Sequence, residues 1–205
     1  MVEIDVIFST QQRWTQQWHV QPVAPCQETP LRFLQTNHQM NFDLWHEEDI
    51  ARRDDVGADR VLQAKRAIDR FNQSRNDAVE QFDAWLLQQL PVANASVPMH
   101  TETPGMCIDR LSIMALKIFH MQIEAERNDA GLDHCEKCRA KLAILEVQAS
   151  DLVRTLGGGF GTNECREAAI QTLSANENVQ RSSSQSTVVR GALMQGGPCI
   201  GCPLN

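Results

Sequence analysis

The sequence contains no tyrosine, no excess of basic residues and no long apolar run. Its 205 residues include 19 Lys and Arg against 26 Asp and Glu, which gives a formal net charge of -7. An acidic chain does not match the basic surface on which proteins bind nucleic acid, so we expect no nucleic-acid partner. No segment approaches the roughly 20 apolar residues of a membrane-spanning helix, so we expect no membrane span. The apolar share of 42% and the charged share of 22% exclude wholesale disorder.

The first residues also lack the features of an export signal. Glu3 and Asp5 stand where a signal peptide carries basic residues, and the apolar stretch 6–8 is too short for a signal core. We therefore expect a cytoplasmic protein, in which the seven cysteines would remain reduced.

Glycine is scarce in the first 156 residues, which hold three of the 11, whereas residues 157–205 hold the other eight. The whole net charge of -7 and all four tryptophans belong to the first 156 residues. Residues 182–186 are nearly all serine. We therefore expect a helical bundle domain over residues 1–156 and a Gly/Ser-rich, disordered tail over residues 157–205.

Apolar residues recur at three- and four-residue steps through most of the first 156 residues, which predicts helices and no β-hairpin. Thr29-Pro30 and Thr103-Pro104 each place a capping threonine before a proline at the first helical position. The glycines at 157–159 are expected to end the last helix. The sequence thus predicts an all-α fold, an antiparallel bundle of four to five helices with a flexible C-terminal tail. The helices are expected at about 7–20, 31–53, 58–90, 104–128 and 133–156, with the helix that begins near 104 the most buried.

The densest charged group follows Trp45 and consists of His46, Glu47, Glu48 and Asp49. A zinc peptidase helix would need a second histidine at position 50, which is isoleucine, so that class is excluded. The pattern favours a solvated helix end, and the alternative is a carboxylate and histidine site that faces a cleft.

A polar stripe runs along the second long helix at three- and four-residue steps: Asp69, Asn72, Asn76, Glu80 and Asp83. Asparagine is a poor helix former, so the stripe indicates either hydrogen bonds across the bundle or a site for a polar ligand or metal. Glu80 and Asp83 also have the spacing at which carboxylates on one helix face hold Mg²⁺ over a phosphate.

The third long helix adds Asp109, Ser112 and His120 to an apolar segment, roughly along one stripe. Charged groups on a buried helix need partners, so we expect His120 to meet a carboxylate of a neighbouring helix. A satisfied core histidine is the favoured interpretation, and a catalytic one is the alternative.

Two cysteine pairs have the spacing of zinc ligands, Cys135 with Cys138 and Cys199 with Cys202. Four thiolates would complete a structural zinc site. However, the first pair falls within a predicted helix and the second at the end of the predicted tail. The pattern therefore favours incidental thiols, with zinc as the alternative.

Four parts of the chain resemble a bacterial family of unknown function, family 4254 in the domain-of-unknown-function series: residues 41–49, 64–77, 102–113 and 138–146. The resemblance covers roughly residues 31–155. It implies an all-helical bacterial protein, encoded in some genomes near glycosyltransferases and genes for cell-surface polysaccharides. It brings no established activity and so carries over no catalytic residue. The glycine- and serine-rich end departs from the family pattern.

Two functions remain open from the sequence. The first is an accessory or interaction module with a protein partner or a second copy of the chain, which the family resemblance links to polysaccharide pathways. The second is a Mg²⁺-dependent phosphohydrolase resembling the all-helical nucleoside triphosphate pyrophosphohydrolases, in which only Glu80 and Asp83 match the expected carboxylate motif. No cofactor follows from the sequence, although it leaves both Mg²⁺ and Zn²⁺ possible.

Overall fold

The computed structural model describes residues 4–22, 24–89 and 101–161. These residues form five helices and no strand: α1 (Ile4–Trp18), α2 (Leu31–Ala51), α3 (Ala58–Gln89), α4 (Pro104–Ala125) and α5 (Leu132–Gly161). The predicted all-α fold is confirmed. The expected tail beyond residue 161 lies outside the described residues.

Two helical hairpins make up most of the bundle. The short connections 52–57 and 126–131 join α2 to α3 and α4 to α5, and each pair packs closely side by side in antiparallel directions. The contacts of α1 run in register with those of α4: Gln11 reaches the backbone of Ile108, and His19 reaches Phe119. Helix α1 therefore lies parallel to α4.

The two predicted threonine caps have different outcomes. Thr103 caps α4 as expected, because its hydroxyl accepts a hydrogen bond from the Met106 N–H and Pro104 occupies the first turn. Thr29 does not cap α2, because Pro30 occupies the cap position and makes no side-chain cap. Backbone carbonyls satisfy the first N–H groups of α2 instead, with Arg32 donating to Glu28 and Phe33 to Pro30.

The end of the last helix was predicted wrongly. Helix α5 continues through the glycines at 157–159 to Gly161. Each glycine costs a helix only about 1 kcal/mol relative to alanine, so a helix already packed in the bundle can extend through several. The preceding turn is packed in this way, since Leu152, Val153 and Leu156 lie against the core.

Helix α4 is central, as predicted. It contacts each of the other four helices, and Leu111 and Leu116 are almost completely buried. Ile7 and Trp14 of α1 and Leu34 of α2 belong to the same core cluster. The polar residues of α4 therefore face α1 and α2 inside the bundle, where they need partners. None of the helices in the described ranges combines the length and apolarity needed to cross a bilayer.

Candidate metal centre

A buried polar network lies where α1, α2 and α4 meet, with His38 at its centre. The imidazole of His38 has no exposed surface. Its Nε2 lies 3.0 Å from the hydroxyl of Thr15 on α1, and its Nδ1 lies 2.8 Å from the hydroxyl of Ser112 on α4. The Thr15 hydroxyl donates to the carbonyl of Gln11, so it accepts from Nε2–H, and Nδ1 accepts from Ser112. Both ring nitrogens are therefore used.

The network continues to Asp109. The side-chain amides of Asn37 and Asn41 each donate to one carboxylate oxygen of Asp109 at 2.7 Å, and that of Asn41 also donates to Ser112 at 2.9 Å. The Nε of Arg75 on α3 lies 3.9 Å from the same carboxylate oxygen. Asp109 thus joins three helices, and its negative charge is balanced by hydrogen bonds and one cation.

Burial lowers the pKa of His38 to about 3, and only a backbone hydrogen bond near Gln11 opposes the shift. The ring is neutral throughout the physiological range. Because it is inaccessible and both its nitrogens have partners, this histidine positions helices and is not available to a ligand.

A second cluster, the histidine trio of His19, His46 and His120, lies beside the network. One ring nitrogen from each residue is within 4.8 Å of the other two. His19 immediately follows α1, His46 is on α2 and His120 is on α4. Within the described ranges, the trio is the one group of three or more histidine, cysteine or carboxylate ligands that converges in this way.

Aromatic rings surround the trio. The ring of Trp45 is stacked on His120, with centroids 4.6 Å apart and planes inclined by 4°. Phe42 contacts both His19 and His46 edge-on, and Phe119 packs against His19 at 4.4 Å. These rings hold the imidazoles in place and make the surroundings apolar.

The protonation of His19 matches that of a metal ligand. The Nδ1 of His19 lies 2.7 Å from the carbonyl of Thr15, which can only accept, so Nδ1 carries the hydrogen and Nε2 keeps its lone pair. Metal-binding histidines commonly donate their second nitrogen to a carbonyl in this way. The Nε2 of His120 is buried and has no hydrogen-bond partner among the described residues.

Burial also favours the neutral form of the other two rings. It lowers the pKa of His120 to about 4, and the proximity of His19 and His46 acts in the same direction. The pKa of His46 is lowered by burial and by His19, while Asp49 and Glu47 oppose the shift. Neutral imidazole is the form that binds metal ions.

Of the predicted charged group, His46 alone belongs to the trio. Glu47 forms a two-armed ion pair with Arg60 of α3, at 2.9 and 3.0 Å. Glu48 and Asp49 pair with Arg52 at the surface, at 3.2 and 3.7 Å. Asp43, one turn before Glu47, was not anticipated; burial and the charge of Glu47 raise its pKa to about 6.

The residues of the predicted polar stripe on α3 do not come together in one site. Asp69 and Asn76 are exposed and Asn72 is half-buried. The residue of this region that reaches the network is Arg75, which lies between the predicted positions. The contact of this region with α4 is therefore made by a residue that the spacing of the stripe did not indicate.

Asp83, predicted as a magnesium ligand with Glu80, anchors the start of α4. Its carboxylate accepts a hydrogen bond from the Gly105 N–H at 2.7 Å and another from Thr103. A Cβ at position 105 would lie 2.8 Å from the same carboxylate oxygen, so glycine permits this approach. Burial raises the pKa of Asp83 to about 6. Glu80 is exposed, one turn earlier on α3.

Cys135 and Cys138 are buried free thiols in the first turns of α5. The Sγ of Cys135 donates to the carbonyl of Arg127, and that of Cys138 lies 3.5 Å from His134. Cys199 and Cys202 lie outside the described residues, so the four-thiolate site stays a prediction.

Sequence reasoning predicted His46, Asp109 and His120 as site residues but expected a carboxylate beside His120. The ring contacts of His120 in the described residues include Trp45, His19 and His46. Sequence reasoning missed His19, Asn37, His38 and Asn41. Asn37 and Asn41 are four residues apart on α2. The same spacing of two asparagines marked the polar stripe on α3, so this signal was available for α2 as well. No comparable signal marked His19, which follows a helix end.

The fold and the trio define an all-helical protein in which three histidines from separate helical segments face one another. Residues 31–158 match the family described as a protein of unknown function, DUF4254. The match covers more than half of the chain, so the chain belongs to this family, as the resemblance implied. The search of curated proteins and that of solved structures each gave no match. His46 and His120 fall within the matched range, and His19 precedes it.

Proposed function

We propose that this protein binds one divalent transition metal ion through His19, His46 and His120. The observation that carries the proposal is the convergence of His19, His46 and His120, each with one ring nitrogen within 4.8 Å of the other two. In addition, the Nε2 of His120 is buried and has no hydrogen-bond partner among the described residues. A buried polar atom without a partner costs about 1–3 kcal/mol. A metal ion at this point would satisfy it.

The spacing of the nitrogens fits a small ion. Three atoms 4.8 Å apart lie about 2.8 Å from their common centre, and zinc binds imidazole nitrogen at about 2.0–2.1 Å. Each ring would therefore move inward by less than about 1 Å. Three imidazoles favour zinc, copper, nickel or iron over magnesium, which prefers oxygen ligands. Zinc is the first choice because it suits three nitrogen ligands at tetrahedral positions.

The metal would act within an accessory or interaction module. It would join the end of α1 to α2 and α4, and so stabilise the position of α1 on the bundle. Exposed apolar residues on α5, Leu132, Ile144 and Val147, support a contact with a protein partner or a second copy. The link to polysaccharide pathways rests on the family resemblance alone.

The magnesium phosphohydrolase is the alternative function. Its support is the spacing of Glu80 and Asp83 on α3. It ranks second because the Asp83 carboxylate already accepts hydrogen bonds at the start of α4. In addition, no third ligand converges on this pair within the described ranges.

Zinc binding to chelator-treated protein, measured by calorimetry and by metal analysis, tests the proposal. We expect one zinc per chain and a loss of affinity of more than about 100-fold in His120→Ala. The matched control is His134→Ala, a partly exposed histidine on α5 beside Cys138, which should bind zinc as the wild type does. Circular dichroism establishes that both variants fold.

The double variant Cys135→Ser, Cys138→Ser separates the thiols from the trio. Unchanged zinc affinity in this variant, with loss in His120→Ala, supports the trio. Zinc binding that survives His120→Ala but disappears with the cysteines would overturn the proposal in favour of a thiolate site.

A further inference from the structure

The ligands of the trio bring no negative charge to a bound dication. All three are imidazoles, and the carbonyl that orients His19 is also neutral. Phe42, Trp45 and Phe119 form the surrounding walls. A dication held by neutral ligands against apolar rings retains its full charge, and uncompensated charge in such surroundings is costly.

Two acidic side chains close to His46 in sequence are held in ion pairs. Glu47 is held by Arg60 through two hydrogen bonds, and Asp49 pairs with Arg52. Both influence the charge state of His46 from a distance, but neither converges with the three ring nitrogens. Among the described residues, no carboxylate oxygen converges with the three ring nitrogens to complete the metal coordination.

The trio leaves room for a ligand from solution. A tetrahedral ion with three protein ligands has one open position, the arrangement of catalytic rather than structural zinc sites. His19 is exposed, whereas His46 and His120 are half-buried, so the cluster opens towards solvent on the side of His19. A ligand from solution would therefore approach the ion past His19.

We infer that the fourth ligand of the metal is a small monoanion from solution that coordinates through one atom, with simple carboxylates as the natural class. This inference rests on the proposed metal site. A monoanion would halve the charge of the ion through one coordinating atom, and the Phe42 and Phe119 rings offer no hydrogen-bond donors that a more highly charged anion would need. Phosphate is a larger dianion and is expected to bind less well for that reason.

Cobalt-substituted protein provides the test, because the visible absorption of Co²⁺ reports the ligands and the geometry of the ion. Titration with acetate or azide should shift the bands saturably, with one anion per cobalt. Phosphate at the same concentrations should give a smaller change. Bands that do not respond to acetate or azide, with one cobalt still bound per chain, would overturn this inference and leave the metal site intact. Failure to bind cobalt or zinc at all would overturn the proposed function instead.

Asp49→Asn distinguishes an external ligand from the most plausible internal one. If the fourth ligand comes from solution, the variant should keep its cobalt spectrum, and its acetate affinity should stay within about twofold of the wild type. Without any added anion, the cobalt spectrum of the variant can be compared directly with that of the wild type. If the substitution changes the spectrum as the loss of one metal ligand would, Asp49 is the fourth ligand and the inference is wrong. His134→Ala is the control, since it removes an imidazole outside the trio and should keep both the cobalt spectrum and the anion response.

Discussion

The network around His38 and the histidine trio both lie at the junction of α1, α2 and α4, yet their imidazoles are used differently. His38 is inaccessible, and each of its nitrogens has a hydroxyl partner. In the trio, the Nε2 of His120 is buried and has no partner in the part of the chain that the structure describes. The same residue type in neighbouring positions therefore serves folding where its hydrogen bonds are complete and is open to a ligand where they are not.

Thr15 connects the two regions. Its hydroxyl contacts His38, and its carbonyl accepts from His19. A single turn of α1 thus positions one ring in each cluster. This arrangement makes the comparison testable, because substitutions in one region should affect stability and substitutions in the other should affect metal binding.

The largest effect is expected in the network. Asp109→Ala removes the acceptor of Asn37 and Asn41 and the counter-charge of Arg75, so we expect the free energy of unfolding to fall by about 3–5 kcal/mol. Urea denaturation measures this loss. The exposed Asp69→Ala on α3 is the control and should change stability by less than about 0.5 kcal/mol. Equal effects of the two substitutions would contradict the role given to Asp109.

In the trio, we expect zinc binding to change the stability of the protein more than the removal of a histidine side chain does. Zinc at about 100 times its dissociation constant should stabilise the wild type by about 2.7 kcal/mol. His46→Ala should lose this gain, while its stability without metal should change much less than that of Asp109→Ala. Thermal denaturation with zinc and with a chelator measures both quantities. A zinc-dependent gain that persists in His46→Ala would remove the distinction between the regions.

The network should also make the fold sensitive to acid. The pKa of His38 is lowered to about 3, against about 6.5 in the unfolded chain, so the unfolded state takes up the proton first. The contribution of the neutral His38 ring to the free energy of unfolding is complete above about pH 6.5 and is lost as the pH falls towards 3, by about 2–3 kcal/mol at pH 4.5. Denaturation of the wild type and His38→Gln across this range isolates the contribution. Parallel pH profiles would contradict it.

Asp83 should show the opposite dependence. Its pKa is raised to about 6 in the folded state, so its contribution is present below about pH 4 and is lost as the pH rises through 6. Asp83→Ala should cost about 1–2 kcal/mol, because the Gly105 N–H loses its acceptor. Asp83→Asn keeps an acceptor and avoids the charge, so at pH 7 it should be at least as stable as the wild type. A marked loss in the Asn variant at pH 7 would show that the negative charge itself is needed.

The smallest effect is expected from the surface pair at the end of α2. Glu48 and Arg52 are both substantially exposed, so Glu48→Gln should change stability by less than about 0.5 kcal/mol and leave zinc binding intact. Calorimetry and denaturation check both statements. Reduced zinc affinity in this variant would show that Glu48 contributes to the metal site and that the site is not limited to the three histidines.

Much of the fold could be predicted from the sequence because its signals are local. The apolar spacing of α3 predicts its limits within one residue, and Thr103-Pro104 predicts the start of α4. The site was less predictable. Asp109, His46 and His120 could be identified as unusual polar residues, but their partners come from other helices, tens of residues away.

The sequence by itself determined the class of fold, the acidic character of the chain and the order of its helices, since these depend on composition and on periodicity within each segment. Only the tertiary structure decided which polar residues acquire partners. Packing of α1 and α2 on α4 completes the hydrogen bonds of His38 and leaves those of His120 open, because ring orientation depends on contacts that no single helix contains. That difference separates a residue of the core from a candidate ligand of a metal ion.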